Sequence, residues 1–158
     1  MTFKSFTASF RAFARALGFV FALGFVGLAA QAQTVKVQDA WARATVPGQK
    51  ASGAFMTLTA AKALRLVGVM TPVAGMAEVH ETKMVGNVMQ MRPVAEVALP
   101  AGRAVALKPG GYHIMLTGLK LELHPGRSIP LTLLFKDAQG LESRQTVQVP
   151  VQAMASGG

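Results

Sequence analysis

Four side chains of this sequence have the types and the spacing needed to bind a soft metal ion. They are two imidazoles and two thioethers, separated by ten, twenty-one and one intervening residues: His80, Met91, His113 and Met115. The chain has no cysteine, so these neutral donors stand without a thiolate. Such a ligand set suits monovalent copper better than zinc, calcium or magnesium. The lack of a thiolate also excludes a blue-copper electron-transfer centre.

The segment between His80 and Met91 predicts a β-hairpin that brings these two side chains together. Its turn is Gly86-Asn87, a two-residue sequence that favours a tight reversal between two apolar runs. The resulting register pairs Met84 with Met89, Thr82 with Met91, Glu81 with Arg92 and His80 with Pro93. Because alternate residues share a face, His80 and Met91 become diagonal neighbours, with Cβ atoms about 7 Å apart. We expect the opposite face, with Glu81 and Arg92, to be the solvated outer side.

His113 and Met115 form a second local pair. They are two residues apart on the strand that follows the turn sequence 109–111, so both point to one face, and Tyr112, Ile114 and Leu116 point to the other. If the face of His113 meets the face of the hairpin, four donors surround one point. Met84 and Met89 share that hairpin face, where the alternatives are that they shield the ion, substitute as ligands, or pack in the core or at the rim.

The remaining candidates for soft ligands are expected to have ordinary structural roles. Methionines on strand faces commonly fill the core, and we expect this of Met56, Met70 and Met76. His124 lies beside the turn sequence Pro125-Gly126 and is expected to be a hydrogen-bonded surface or core residue. Trp41 is expected to pack.

The chain beyond residue 32 predicts an all-β domain. Short apolar runs alternate with Pro- and Gly-containing turns, and no long helical pattern competes with them. This pattern favours a two-sheet sandwich or a Greek-key barrel. The predicted strands are 34–38, 42–46, 53–59, 63–69, 77–85, 88–94, 103–107, 112–116, 129–135 and 142–149.

Residues 1–32 predict a cleavable signal peptide. Lys4, Arg11 and Arg15 precede the apolar run 16–30, and Ala30-Gln31-Ala32 offers a cleavage site. The alternative is an uncleaved membrane anchor, but the run has about 15 apolar residues where a spanning helix needs roughly 20. We therefore expect export to the periplasm and one domain of residues 33–158.

The charge of residues 33–158 excludes some functions and disfavours others. These residues include 13 Lys and Arg and 7 Asp and Glu, and the basic residues are scattered rather than clustered, so nucleic acid is not an expected partner. A copper-dependent redox enzyme would need an open coordination position and usually further His or acidic groups. The sequence offers few of these, so we expect no enzymatic activity.

The spacing of the four candidate ligands matches the His-x10-Met-x21-His-x-Met signature of the PCu(A)C family of periplasmic copper chaperones. The sequence resembles that family over nearly all of residues 33–158. The similar segments are Asp39-Ala40-Trp41-Ala42-Arg43, Gly53-Ala54-Phe55-Met56, Met89-Gln90-Met91-Arg92-Pro93, residues 109–116 and Pro130-Leu131-Thr132-Leu133. Two departures are Glu81, where some members have a methionine, and the lack of a His- and Met-rich C-terminal tail.

The resemblance implies a cupredoxin-like Greek-key β-barrel that binds Cu(I) through His80, Met91, His113 and Met115. It also implies delivery of copper toward the CuA centre in subunit II of cytochrome c oxidase, sometimes together with a Sco-type protein. Two alternatives remain open. One is a copper storage or tolerance protein, which a fully buried site would favour, and the other is a β-sandwich interaction module without metal transfer.

Overall fold

The computed structural model describes residues 35–153, and all regular secondary structure in this range is β-strand. The all-β prediction is therefore confirmed. The predicted signal peptide, residues 1–32, lies outside the described residues and stays a prediction. Within residues 35–153, no helix has the length and apolar character needed to cross a membrane.

Residues 35–153 form ten strands, and several of them show the period-two burial of a strand with one face in a core. In β9, for example, Ile129, Leu131, Leu133 and Phe135 are buried while the residues between them are less so. The strands are β1 (Val35–Arg43), β2 (Ala51–Ala60), β3 (Leu64–Met70), β4 (Ala74–Val85), β5 (Val88–Pro93), β6 (Val97–Leu99), β7 (Ala104–Leu107), β8 (Tyr112–Leu119), β9 (Ser128–Lys136) and β10 (Glu142–Gln152).

The strands form two layers that are continuous through one parallel pairing. Their order is β5-β4-β8-β2-β1-β10-β9-β3-β6, with β7 also paired to β2. One layer therefore contains β5, β4, β8, β2, β7 and β1, and the other contains β10, β9, β3 and β6. β1 pairs with β10 in parallel and with β2 in antiparallel fashion, so β1 joins the two layers. The core lies between the layers, where Ile114 and Leu116 of β8 and Leu131 and Phe135 of β9 are buried. The arrangement is the predicted sandwich.

Apart from shifts of up to three residues at strand ends, the structure differs from the predicted strands at two places. The segments 34–38 and 42–46 were predicted as separate strands, but the single strand β1 spans residues 35–43 with a bulge between Gln38 and Trp41, and residues 44–46 lie outside any strand. Asp39 adopts a φ of 51° at this bulge, a conformation that Asp tolerates better than most residues. The three-residue strand β6 was not predicted. A strand of three residues is too short to show the alternation of apolar and polar residues by which strands are predicted from a sequence.

The predicted hairpin register is confirmed, but its predicted orientation is wrong. β4 and β5 pair His80 with Pro93, Thr82 with Met91 and Met84 with Met89. However, the face that carries Glu81 points inward with the buried Val79, and the Glu81 side chain is only 10% exposed. The face of His80 therefore points away from the core, because Val79, Ile114 and Leu116 occupy the interior side.

Candidate metal centre

The two candidate imidazoles are neighbours on adjacent strands. β4 lies between β5 and β8, and His80 of β4 is the direct cross-strand partner of His113 of β8. Their ring centres are 5.9 Å apart. The predicted pairs thus meet on one continuous sheet face, not on two separate walls that approach each other.

The two candidate thioethers flank the imidazoles on the same face. Met91 is opposite Thr82 on β5, and Met115 is opposite Glu78 on the far side of the His80–His113 pair. Met91, His113 and Met115 line one open cavity of about 350 Å³. His80 is not among its lining residues, so it lies beside the cavity and is connected to it through His113.

Each imidazole is oriented by a group two residues before it in the sequence. His113 Nδ1 lies 3.1 Å from the Gly111 carbonyl oxygen, and His80 Nε2 lies 3.3 Å from Glu78 Oε2. Both oxygens only accept, so His113 donates from Nδ1 and His80 donates from Nε2. The lone pairs of His113 Nε2 and His80 Nδ1 are left available.

The two available nitrogens are buried and have no hydrogen-bond partner in the structure. A buried polar atom without a partner costs free energy, and a metal ion would remove that cost at both atoms. The donors are neutral and include two thioethers, which matches the preference of Cu(I) for soft ligands. Within residues 35–153, no group of three or more His, Asp or Glu side chains is placed to hold a metal.

An aromatic row supports His113 from the side away from His80. The Phe55 ring centre is 6.4 Å from that of His113, and the Trp41 ring centre is 4.4 Å from that of Phe55. The bulge at Asp39 adds one residue to β1 and so places Trp41 directly opposite Phe55. Trp41 therefore packs, as predicted, and its packing fixes the ring that contacts His113.

One cation borders the cavity. Arg43 Cζ lies 5.9 Å from the Phe55 ring centre, and Arg43 also lines the cavity. Within residues 35–153, no carboxylate lies at ion-pair distance from Arg43. Its charge therefore acts on the cavity without compensation by a fixed acidic partner.

Glu81 forms ion pairs with two other nearby cations on the inward-facing side of the hairpin. Lys83 Nζ lies 3.0 Å from Glu81 Oε1 and Arg92 Nη2 lies 3.6 Å from Glu81 Oε2. The hydrogen bond from Lys83 is the largest cause that holds the pKa of Glu81 below its ordinary value, with Tyr112 and Arg92 contributing and partial burial opposing. The predicted Glu81–Arg92 pair is present, although Glu81 is not in solvent.

The other methionines and His124 have varied positions. Met56 fills the core, as predicted, but Met70 and Met76 are exposed, so the prediction was wrong for these two. Met84 and Met89 are also exposed, and Met89 lines the cavity. His124 is an exposed side chain near Glu122, in agreement with its expected structural role.

Sequence reasoning did not assign roles to Glu78, Gly111, Phe55 or Arg43. Glu78 was recognisable in principle, because a side chain two residues before a histidine on the same strand shares its face. The Gly111 contact is made by a backbone carbonyl just before β8, which the alternation of side chains does not indicate. Phe55 and Arg43 required the pairing of β1, β2 and β8, which no local sequence signal provides.

Comparisons with known proteins agree with this architecture. Residues 35–151 match the family described as "Putative lipoprotein LpqE-like". The chain is 35% identical over 123 residues to "Putative lipoprotein Lxx21020" of Leifsonia xyli subsp. xyli (strain CTCB07), which covers 77% of this chain and 72% of that protein.

Solved structures show the same fold. The solution structure of apo-DR1885 from Deinococcus radiodurans is 29% identical and has a TM-score of 0.57, covering 97% of this chain and all of that chain (100%). A copper-bound PCuAC domain from PmoF2 is 23% identical, with a TM-score of 0.61 over 76% of this chain and 93% of that one. The fold is thus the cupredoxin-like one expected from the sequence, the resemblance to the PCu(A)C family is confirmed, and the chain belongs to the LpqE-like family.

Proposed function

We propose that this protein is a periplasmic Cu(I)-binding copper chaperone, with His80, Met91, His113 and Met115 as ligands. The observation that carries the proposal is the pair of buried, unpartnered imidazole nitrogens on directly opposed residues, His113 Nε2 and His80 Nδ1. Thioethers lie on the same sheet face on either side of this pair. Two nitrogens and two sulfurs without charge stabilise Cu(I) and disfavour the more strongly hydrated Cu(II).

The position of the ligands favours a carrier over a storage protein. All four lie on the outward face of β5-β4-β8, and the Met91 side chain is 55% exposed on the end strand of the sheet. A partner can therefore reach the ion from the side of Met91 without unfolding the domain. A storage site would gain from being closed on all sides.

The recipient and the compartment belong to the same proposal. We expect delivery toward the CuA centre in subunit II of cytochrome c oxidase, with a Sco-type protein as a further partner, as the family resemblance implies. The relative from Leifsonia xyli is named as a lipoprotein, which supports an exported location. We propose no enzymatic activity, because the two carboxylates on β4 nearest the imidazoles, Glu78 and Glu81, are both engaged with neighbouring side chains.

Competition for Cu(I) between the purified protein and a chromogenic chelator under anaerobic conditions tests the ligand assignment. We expect one tightly bound ion, and a loss of affinity of more than about tenfold in His113→Ala and in Met91→Leu. Met70→Leu is the matched control, since Met70 is exposed on the other layer. Absence of binding, or equal binding by all variants, would refute the assignment and leave an interaction module as the better hypothesis.

Redox selectivity and transfer complete the test. The protein should bind Cu(I) more tightly than Cu(II) under matched conditions, and equal affinities would contradict the thioether argument. Mixing the Cu(I)-loaded protein with a soluble domain that carries an empty CuA site should then move copper to that domain. Retention of copper by a protein that passes the competition test would favour storage.

A further inference from the structure

The tip of the β4–β5 hairpin carries two methionines that the four proposed ligands do not include. Met84 and Met89 are direct partners across the two strands, and such partners have Cβ atoms about 4.5–5.5 Å apart. Their side chains are 61% and 66% exposed, so neither fills the core. Two thioethers are therefore held side by side in solvent, where burial does not account for them.

The two thioethers are continuous with the proposed metal centre. Met89 lines the same cavity as Met91, His113 and Met115, and alternation along β5 places Met89 and Met91 on one face. Met84 lies two residues beyond Thr82, another residue of the cavity wall. Thioether groups therefore lie along this face from the exposed tip of the hairpin to the proposed ligands beside the imidazoles.

The two cations of the hairpin strands near Met84 and Met89 lie on the opposite face of the hairpin. Lys83 and Arg92 alternate to the opposite face, where both are held by Glu81 at 3.0 and 3.6 Å. A monovalent ion that approaches Met84 and Met89 at the tip therefore meets two neutral sulfurs and no cation of the hairpin itself, and Arg43 borders the cavity that Met89 also lines. Soft, neutral donors with little competing charge favour Cu(I) and Ag(I) over hard divalent ions.

We propose that Met84 and Met89 form a second, weaker soft-metal site through which Cu(I) enters or leaves the four-ligand centre. This inference rests on the proposed function of that centre. The ion keeps its charge throughout, because each step only forms one metal–sulfur bond as another breaks. Two donors hold the ion less strongly than four, so the tip site exchanges faster and loads second.

Methyl NMR of the protein labelled with ¹³C at its methionine methyl groups tests the site. Ag(I), which is redox-inert under these conditions, serves as one probe and Cu(I) under anaerobic conditions as the other. The first equivalent should shift the methyl signals of Met91 and Met115, and the second should shift those of Met84 and Met89. Met70, exposed on the other layer, is the internal control and should not respond.

Transfer kinetics provide the second readout. The double variant Met84→Leu/Met89→Leu keeps the apolar surface and removes only the sulfurs. It should bind the first equivalent of Cu(I) with unchanged affinity and release it to a chelator more slowly, by about fivefold or more, since about 1 kcal/mol added to the barrier for transfer slows it by that factor. Met70→Leu should transfer at the wild-type rate.

Several results would overturn the tip site. The first is that the second equivalent of metal leaves the methyl signals of Met84 and Met89 unshifted. The second is that it shifts the Met70 signal as strongly as theirs. The third is that the double leucine variant transfers Cu(I) at the wild-type rate. Slow transfer in Met84→Gln/Met89→Gln but not in the leucine variant would make the tip an apolar docking surface for a protein, contrary to the proposal. If the first equivalent of metal fails to shift the methyl signals of Met91 and Met115, the four-ligand centre is refuted instead. The two failures are distinguishable because they concern different equivalents and different methyl signals.

Discussion

The charge of Arg43 should help the metal centre to discriminate between the two oxidation states of copper. Arg43 Cζ lies 5.9 Å from the Phe55 ring centre, which lies 6.4 Å from the His113 ring centre, so the guanidinium is at most about 12 Å from the imidazole. Cu(II) carries one more unit charge than Cu(I). Repulsion by Arg43 therefore penalises Cu(II) by one additional charge–charge interaction.

The size of this penalty follows from Coulomb's law. At roughly 10 Å and an effective dielectric constant of about 20–40, one additional unit charge costs about 1–2 kcal/mol. That energy corresponds to a change of roughly fivefold to thirtyfold in the ratio of Cu(I) to Cu(II) affinity. Because Arg43 is partly exposed, solvent and salt screen the interaction, and the lower end of this range applies at physiological ionic strength.

Arg43→Met removes the charge while keeping an unbranched side chain beside Phe55. We expect the Cu(II) affinity of this variant to rise relative to Cu(I) by about fivefold at low salt, with a smaller change at high salt. Chelator competition with each oxidation state measures both affinities. Arg43→Lys retains the charge and should retain the ratio, and Arg65→Met, on the other layer and paired with Glu96, is the distant control.

The electrostatic argument has a clear point of failure. If Arg43→Met weakens the binding of both oxidation states equally, Arg43 acts through the position of Phe55 and not through its charge. A ratio that changes but does not depend on salt would lead to the same conclusion.

Three further substitutions test how the centre is supported. Gly53→Ala places a Cβ 3.0 Å from the Phe55 ring, so we expect a loss of about 1–3 kcal/mol in the free energy of unfolding and weaker Cu(I) binding. Urea unfolding and chelator competition measure these changes. Wild-type values in both measurements would show that the Phe55 ring moves to make room for the added methyl group at no measurable cost. Asp39→Val puts a β-branched residue at a φ of 51° and should cost about 1–2 kcal/mol in urea unfolding. Asp39→Gly should retain wild-type stability, and an equal loss would assign the effect to the Asp side chain. Glu81→Gln should lower Tm at neutral pH. Lys83 is the main cause that lowers the pKa of Glu81 in the folded state. The contribution of the Glu81 carboxylate to the stability of the fold is therefore complete above the ordinary glutamate pKa and is lost as the pH falls through the lowered pKa. The Tm difference should narrow in acid, and a difference independent of pH would mean that packing is responsible.

The sequence was sufficient to predict which residues of the hairpin lie together. The turn Gly86-Asn87 and the apolar runs beside it are local signals, and a two-residue connection fixes the register of both strands. The observed pairing of Thr82 with Met91 and of Met84 with Met89 follows that register in full. His113 and Met115 needed only the two-residue period of a strand.

The sequence was not sufficient to predict which face of the hairpin points inward. Period two groups residues by face, but the inward face is decided by what packs on each side of the sheet. The apolar Ile114 and Leu116 were already assigned to the face opposite His113, and their branched side chains indicated the core. The charged pair Glu81–Arg92 is typical of a solvated face, yet Glu81 is buried here because two cations and Tyr112 compensate for its charge.

Long-range support of the centre was also beyond local sequence signals. Trp41 meets Phe55 only because β1 contains an additional residue at Asp39, and few non-glycine residues adopt a positive φ. Without that residue, the register of Gln38 with Thr57 would continue and place Ala40 opposite Phe55. The aromatic row beside His113 therefore depends on a backbone conformation that residue types alone do not specify.

The outward placement of the proposed ligands should separate metal binding from the stability of the fold. Ile114 and Leu116, which alternate with His113 and Met115 on β8, are fully buried and carry the packing of that strand. Met91 lies on β5, whose six residues are all exposed. Exchange of a proposed ligand with a partner protein should therefore disturb the outer face of one sheet while the core remains packed. For the same reason, loss of copper binding on substitution of Met91 or Met115 reports on the donor atom and not on unfolding of the domain.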